Sequence, residues 1–217
     1  MLNIKKIEKL GLGDSISLKC KIVRPQLRFM QKNVFTEMEE MEINDRNITY
    51  FFIDICISDL EEDKDTRIGF IKGCYILPEE FMNDCYFFDV CDAESDELEK
   101  MADSLIDNNL DLNEKYANET DCICYVSDLY IYKKYRNCGI GSYVLNELQD
   151  ILYYYARDVI TKVVLLPQPR VINNQRQLQN LSDKNENGEI LKERLREFYD
   201  DNGFRKIADS EYMIKSY

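Results

Sequence analysis

Apolar and polar positions alternate with two different periods along this chain, and the change of period marks the predicted elements. Three early stretches read as strands: residues 15–23; residues 49–57, where Ile53, Ile55 and Ile57 alternate with Asp54 and Cys56; and residues 67–77. Pro25 and Pro78 close the first and third, because proline offers no amide hydrogen to a ladder. Between the first two, Leu27, Met30, Val34, Met38 and Met41 fall three or four apart and predict one or two short helices within residues 26–46. Residues 86–90 form a short apolar run and are predicted as a further strand. Ser95 then reads as an N-cap, with Asp96 and Glu97 in the first turn of a helix whose stripe is Leu98, Met101, Ala102, Leu105 and Ile106. Residues 107–120 are polar and predict a loop.

The second half follows a strand, turn, helix order. Residues 122–132 read as a buried strand and 133–141 as a turn ending in Gly139, Ile140 and Gly141. A helix follows with Val144, Leu145, Leu148, Ile151, Leu152 and Tyr155 at helical spacing. Residues 163–166 form a short strand stopped by Pro167. Residues 169–188 predict a long surface excursion and 189–202 a helix, with Gly203 placed for a left-handed C-cap and Phe204 available to fold back on the last turn. Residues 204–208 and 212–215 are closing strands. Eight Gly and four Pro leave little room for a hinge, so the expectation is one domain over 1–217, with an acidic insertion at 84–121 and a long loop at 168–188.

Composition narrows the chemistry. The 217 residues include no His, which excludes Ser-His and Cys-His nucleophile pairs, His-ligated zinc and imidazole proton shuttling within the chain. The eight Cys contain no Cys-x-x-Cys pair, so no metal site is expected, and Cys122 and Cys124, on one strand face, are expected to pack in the core. The net charge of −13 argues against a nucleic-acid partner or an anionic membrane and favours cationic partners. Residues 84–121 hold 13 acids and two bases, so nearly all the excess lies there; it reads as a solvated face or as a surface that collects cations. No apolar run is long enough to span a membrane, and the first ten residues carry charges in place of a signal core, so a cytoplasmic protein is expected.

The turn before the predicted helix at Gly141 carries the candidate chemistry. There, unpaired amides and the positive end of a helix converge, which suits a phosphate, and Arg136 is placed to add a charge-assisted bond. A Walker loop is absent, because no Gly-Lys-Ser/Thr follows. A dinucleotide fingerprint fails at Val144, where a small residue is required. Two glycines alone also fit a simple connecting turn.

The stretch Arg136, Asn137, Cys138, Gly139, Ile140, Gly141 resembles the Arg/Gln-x-x-Gly-x-Gly/Ala acyl-CoA pyrophosphate loop of the Gcn5-related N-acetyltransferase (GNAT) superfamily, and Asp128 to Ile131 resembles that family's central strand. A second match, Phe198, Tyr199, Asp200, Asp201, Asn202, Gly203, Phe204, resembles the family's Leu/Phe-Tyr-x-x-x-Gly-Phe segment and lies downstream in the family's order. The resemblance covers about residues 122–204. Residues 78–121 and 168–188 are longer than the family pattern.

This resemblance implies an α/β fold with a central mixed, mostly antiparallel sheet, splayed between its fourth and fifth strands and flanked by helices. It implies an acetyl-CoA-dependent N-acetyltransferase acting on a primary amine. The acidic belt makes the acceptor a cationic small molecule or the Lys or N-terminal amine of a peptide; a non-catalytic acyl-CoA-binding or protein-interaction module is the alternative. Leu129, Tyr130 and Ile131 would hold the pantetheine, and the amides of Arg136, Asn137, Cys138, Gly139, Ile140, Gly141 and Ser142 the pyrophosphate. Asn174, with Asn173, is a candidate for the family's Asn after the fifth strand. Tyr199 matches the family's proton donor to the thiolate. Asp128 is the first candidate for the base, ahead of Asp54 and Glu79. Oligomeric state is left open, a homodimer included.

Overall fold

The structure of the protein is a computed structural model that describes residues 15–23, 48–59, 64–77, 86–156, 159–172, 178–180 and 186–217. The expected helices within 26–46, and the candidates Glu79, Asn173 and Asn174, lie outside the described residues.

The alternating β-branched segments pair in sequence. Strands β1 (Ser15–Val23), β2 (Ile48–Asp59), β3 (Lys64–Ile76) and β4 (Ile123–Ile131) form a run of antiparallel neighbours. The chain then crosses over through helix α3 (Ile140–Ala156) and returns as β5 (Lys162–Leu165), which is parallel to β4. Strands β8 (Arg205–Lys206) and β9 (Met213–Ser216) complete a seven-stranded sheet of order β1-β2-β3-β4-β5-β9-β8. A parallel neighbour needs a long crossover connection, and α3 supplies it.

Because side chains alternate across a strand, the central strands β2, β3, β4 and β5 feed two cores. Ile53, Ile55, Cys124, Val126 and Val163 lie on one face with Val144, Leu145, Leu148 and Leu152 of α3 and Tyr199 of helix α4 (Glu186–Asp201). Ile48, Cys74, Ile76, Ile123, Tyr125 and Val164 lie on the other, beneath helices α1 (Phe87–Glu94) and α2 (Asp96–Asp103). Cys122 and Cys124 are both buried on the α3 face.

The acidic segment is therefore one of the two layers that cover the sheet, with its apolar stripe inward. Its first part differs from expectation. Residues 86–90 belong to α1, not to a strand: Phe87, Val90 and Cys91 bury at i, i+3 and i+4, and Asp89 Oδ2 accepts the Tyr86 N–H at 3.4 Å. Ser95 ends α1, its N–H donating to Cys91 O at 3.2 Å, and its Oγ accepts the Leu98 N–H at 3.3 Å to start α2.

Among the described residues, the stretch between β5 and α4 also holds elements the sequence does not predict. Leu166 to Pro169 follow β5 with both prolines buried, and Arg170–Ile172 (β6) pairs antiparallel with Leu178–Asn180 (β7) in a separate two-stranded sheet. Helix α4 begins at Glu186, three residues before the expected start. Gly203, at φ +89°, makes the left-handed cap, and Phe204 turns back so that its N–H donates to Tyr199 O at 3.0 Å. Among the described residues, no helix is long and apolar enough to cross a membrane.

Candidate active site

Strand β4 outruns its parallel neighbour. Pairing with β5 covers Ile123 to Val126, whereas pairing with β3 continues to Ile131. Beyond Val126 the two strands part, and the edge of β4 over 127–131 that faces away from β3 has no strand partner among the described residues. Unpaired main-chain donors and acceptors are costly unless a ligand or water meets them, so such an edge is a ready docking strip for an extended amide-bearing chain.

A bulge changes what this free half presents. Lys72 pairs with Asp128 and Gly73 with Val126, which leaves Ser127 as the extra residue. Uninterrupted alternation would put Asp128 on the α3 face behind Cys124 and Val126. The inserted residue instead moves Asp128 to the face of Tyr125 and Lys72 and sends Leu129 and Ile131 against the α3-side core. Gly73 sits opposite this irregularity because a Cβ there would lie 2.0 Å from Tyr125 O.

Asp128 is buried, with its side chain 2% exposed. Its Oδ1 is paired with an Arg170 nitrogen, and Oδ2 lies 2.7 Å from Lys72 Nζ. That second contact is an ion pair without hydrogen-bond geometry, so Oδ2 still has an unspent acceptor position. The other terminal nitrogen of Arg170 is 3.6 Å from Glu97 Oε1, and the same oxygen accepts the Tyr125 hydroxyl at 2.9 Å.

Tyr199 enters from the opposite face, its ring edge-on to Phe198 at 5.1 Å and to Phe204 at 5.6 Å. Its hydroxyl feels both Asp128 and Arg170. Burial raises the phenol above its ordinary range, the Asp128 carboxylate raises it further, and the Arg170 guanidinium opposes the rise. Asp128 is thus a buried carboxylate on one face of the sheet and Tyr199 a buried phenol with a raised pKa on the other, each within the other's electrostatic reach.

Next along the chain, a short 3-10 turn (Lys133–Tyr135) leads into residues 136–139. Asn137 and Gly139 take positive φ of 59° and 82°, and the chain then enters α3 directly. Tyr143 N–H donates to Gly139 O at 3.0 Å, the first helical bond at this end. The amides of Ile140, Gly141 and Ser142 lie in the first turn before it, where a helix has no acceptor of its own to offer. These residues fit a phosphate-bearing ligand by their main chain.

Three expected contributors have other neighbours. Arg136 donates its Nε–H to Ile131 O at 2.7 Å and lays its guanidinium over the Tyr130 ring at 5.0 Å, so it braces the end of β4 as well as bordering the loop. Gly141 lacks a side chain toward α4, because an added Cβ would meet the Phe198 ring at 3.0 Å. Cys138 is buried, and its thiol donates to Arg136 O at 3.5 Å.

Asp54, the alternative base, pairs with Arg67 on the far side of β3. Lys72, Glu97 and Arg170 are the site residues that sequence reasoning misses. Helical spacing alone puts Glu97 outward with the other acids of α2, and the polar stretch around Arg170 reads as a surface loop.

The mixed, mostly antiparallel sheet, flanked by helices and parted between its fourth and fifth strands, is what the resemblance implies. The chain has a GNAT-like fold. Neither protein-family models nor curated proteins give a match. Solved structures similar to it include a KacTA–DNA complex, with 9% identity, TM-score 0.41 and 93% of each chain covered. Others are the PaiA N-acetyltransferase from Thermoplasma acidophilum in complex with coenzyme A (16%, TM-score 0.31, 79% of this chain and 62% of that one) and Arabidopsis thaliana NAA60 in complex with acetyl-CoA (17%, TM-score 0.37, 93% of this chain and 100% of that one). Similarity at this level leaves the chemistry to be read from the residues of this chain.

Proposed function

We propose that this chain, acting as one domain over 1–217, is an N-acetyltransferase that moves the acetyl group of acetyl-CoA to a primary amine. The observation that carries the reading is the edge of β4 over 127–131, left without a strand partner where β4 parts from β5 and leading through the positive-φ loop into the first-turn amides of α3. Thioester and amine are the two substrates, and the transfer forms a C–N bond and breaks the C–S bond.

The free edge at Leu129, Tyr130 and Ile131 would pair with the amides of the pantetheine, the Ile131 carbonyl oxygen being already held by Arg136. The amides of residues 136–142, at the positive end of α3, would receive the diphosphate, with Arg136 beside them. Asp128 Oδ2 takes the proton that the attacking amine gives up, using its unspent acceptor position. The Tyr199 hydroxyl gives its proton to the departing sulfur. Its raised pKa keeps that proton in place until then, although the same shift makes it a weaker acid than an exposed phenol. Return of the Asp128 proton to Tyr199 closes the cycle.

The acceptor class follows from charge. Glu94 and Glu97 are engaged by Tyr50, Tyr125 and Arg170, whereas Asp89, Asp92, Asp96 and Asp103 stand exposed on the same two helices. That acidic surface supports a cationic amine as acceptor. A second reading, a coenzyme-binding module without an amine substrate, is favoured by one observation: both Asp128 oxygens already have cationic neighbours.

A thiol-release assay over a panel of amines and peptides, run beside a melting curve with acetyl-CoA, separates these readings. Enzyme function requires release above the background rate of hydrolysis and a donor-induced rise in Tm. A Tm rise without release selects the binding module, and the absence of both defeats the coenzyme reading.

A further inference from the structure

Arg170 touches two elements of the site and has no part in the chemistry above. Leu166, Pro167, Gln168 and Pro169 deliver it from the end of β5, with both prolines buried and their φ fixed, so its starting point is rigid. Its side chain is 22% exposed. One terminal nitrogen holds Oδ1 of Asp128 on β4, and the other reaches Oε1 of Glu97 in the first turn of α2 at 3.6 Å. Glu97 is itself fixed by the Tyr125 hydroxyl. A guanidinium is planar, permanently charged and presents its donors in a fixed fork, so it can set the orientation of two carboxylates at once in a way that an ammonium cannot.

The consequence for Asp128 is directional. With Oδ1 committed to Arg170, the carboxylate cannot turn about its terminal torsion without losing that bond, and Oδ2 stays the oxygen with capacity to spare. The cationic neighbour of Oδ2, Lys72, has a side chain 43% exposed and is free to lean toward water when an amine arrives. The constraint on orientation therefore falls on Arg170.

We propose that Arg170 is a positioning residue of the transfer site: by clamping Asp128 on β4 to Glu97 on α2, it aims Oδ2 at the acceptor amine and latches the acidic layer beside the parted strands. This rests on the acetyltransferase reading. The guanidinium also opposes the rise of the Tyr199 phenol, so the same side chain touches the proton acceptor and tempers the proton donor.

The test compares full-length wild type with Arg170→Ala, Arg170→Lys and Asp128→Asn/Arg170→Ala, using the best amine from the panel. Turnover should fall roughly 10- to 100-fold in Arg170→Ala, as expected for a misaimed reacting group, with the donor-induced Tm rise retained. Arg170→Lys should recover little of the loss, because it restores charge without the fork. Guanidinium ion at non-denaturing concentration should restore turnover to Arg170→Ala but not to wild type or to the double variant. Unchanged turnover in Arg170→Ala overturns the proposal, as does full activity in Arg170→Lys. Loss without guanidinium rescue, matched by a lowered Tm, assigns Arg170 to stability alone and also overturns it. Absence of turnover in wild type defeats the acetyltransferase reading instead, and this proposal with it.

Discussion

The two halves of β4 share a strand and little else. Ile123, Cys124, Tyr125 and Val126 are bonded to β3 on one side and β5 on the other, and none is more than 3% exposed. Beyond Ser127 the strand keeps only β3, and Leu129, Tyr130 and Ile131 are half-buried. The first half satisfies all its polar groups inside the sheet, so substitutions there act on stability. The second half is held rigid by the first and still has donors and acceptors to offer, which is how a fold can place a site with precision. The bulge at Ser127 is the boundary. It turns Asp128, the position where a third buried residue would continue Cys124 and Val126, into a charged residue on the opposite face.

The largest expected effect separates the halves by chemistry. Asp128→Asn keeps the shape of the side chain and removes the proton acceptor, so kcat for the amine should fall by about 10³-fold, within the usual range for a general base. Asn offers one acceptor and one donor where Asp offers two acceptors, so one cation loses its partner; Lys72, with a side chain 43% exposed, can turn to water, and Tm should change less than turnover. If kcat holds while stability falls by several kcal/mol, Asp128 is a buried ion-pair partner and the free half is as structural as the paired one.

Next in size is the junction. In Gly73→Ala the added Cβ would lie 2.0 Å from the carbonyl oxygen of Tyr125 and 3.0 Å from the Phe51 ring. One of the two strand backbones must shift, and the expected loss is about 3 kcal/mol, at the upper end for overpacking. Urea unfolding measures it directly. A loss under about 0.5 kcal/mol, the size of an ordinary surface substitution, would mean that β3 and β4 slide easily at the bulge and that the register there does not hold Asp128 in place.

Much of this arrangement is visible in residue order. Ile53, Ile55 and Ile57 announce β2, the apolar spacing from Val144 to Leu152 announces α3, and Gly203 with Phe204 announces the end of α4. Tyr199 and the loop at 136–141 stand out by resemblance. The failures have specific causes. Five residues at 86–90 are too few to distinguish a strand from the first turn of a helix, and the outcome depends on Cys91 burying against the sheet. The face of Asp128 depends on a bulge set by how β3 and β4, far apart in the chain, meet in space. Arg170 becomes a site residue only because the Leu166–Pro169 segment carries it back to β4. Periodicity reports on one element at a time, and these three facts each belong to a pair of elements.

The smallest effect per residue reports both halves in one titration. Tyr125 stands in the paired half and Tyr199 is under the electrostatic influence of Asp128 in the free one, and burial raises both phenols above the ordinary value of 10.0, with Glu97 adding to the first and Asp128 to the second. Tyr212, beside Tyr125, is raised to about 12. In the unfolded chain these phenols ionise at about pH 10, while the folded protein retains their protons. Above that pH the native state binds more protons than the unfolded state, so stability is intact below about pH 10 and falls as pH rises, by up to about 1.4 kcal/mol per pH unit for each such tyrosine. Urea midpoints from about pH 8 to about pH 11 should show this downturn, and Tyr125→Phe and Tyr199→Phe should each flatten it. A saturating amount of acetyl-CoA should alter the contribution of Tyr199 and leave that of Tyr125 unchanged, because only the first phenol borders the proposed donor site. Equal responses would mean that the two halves of β4 are not electrostatically distinct.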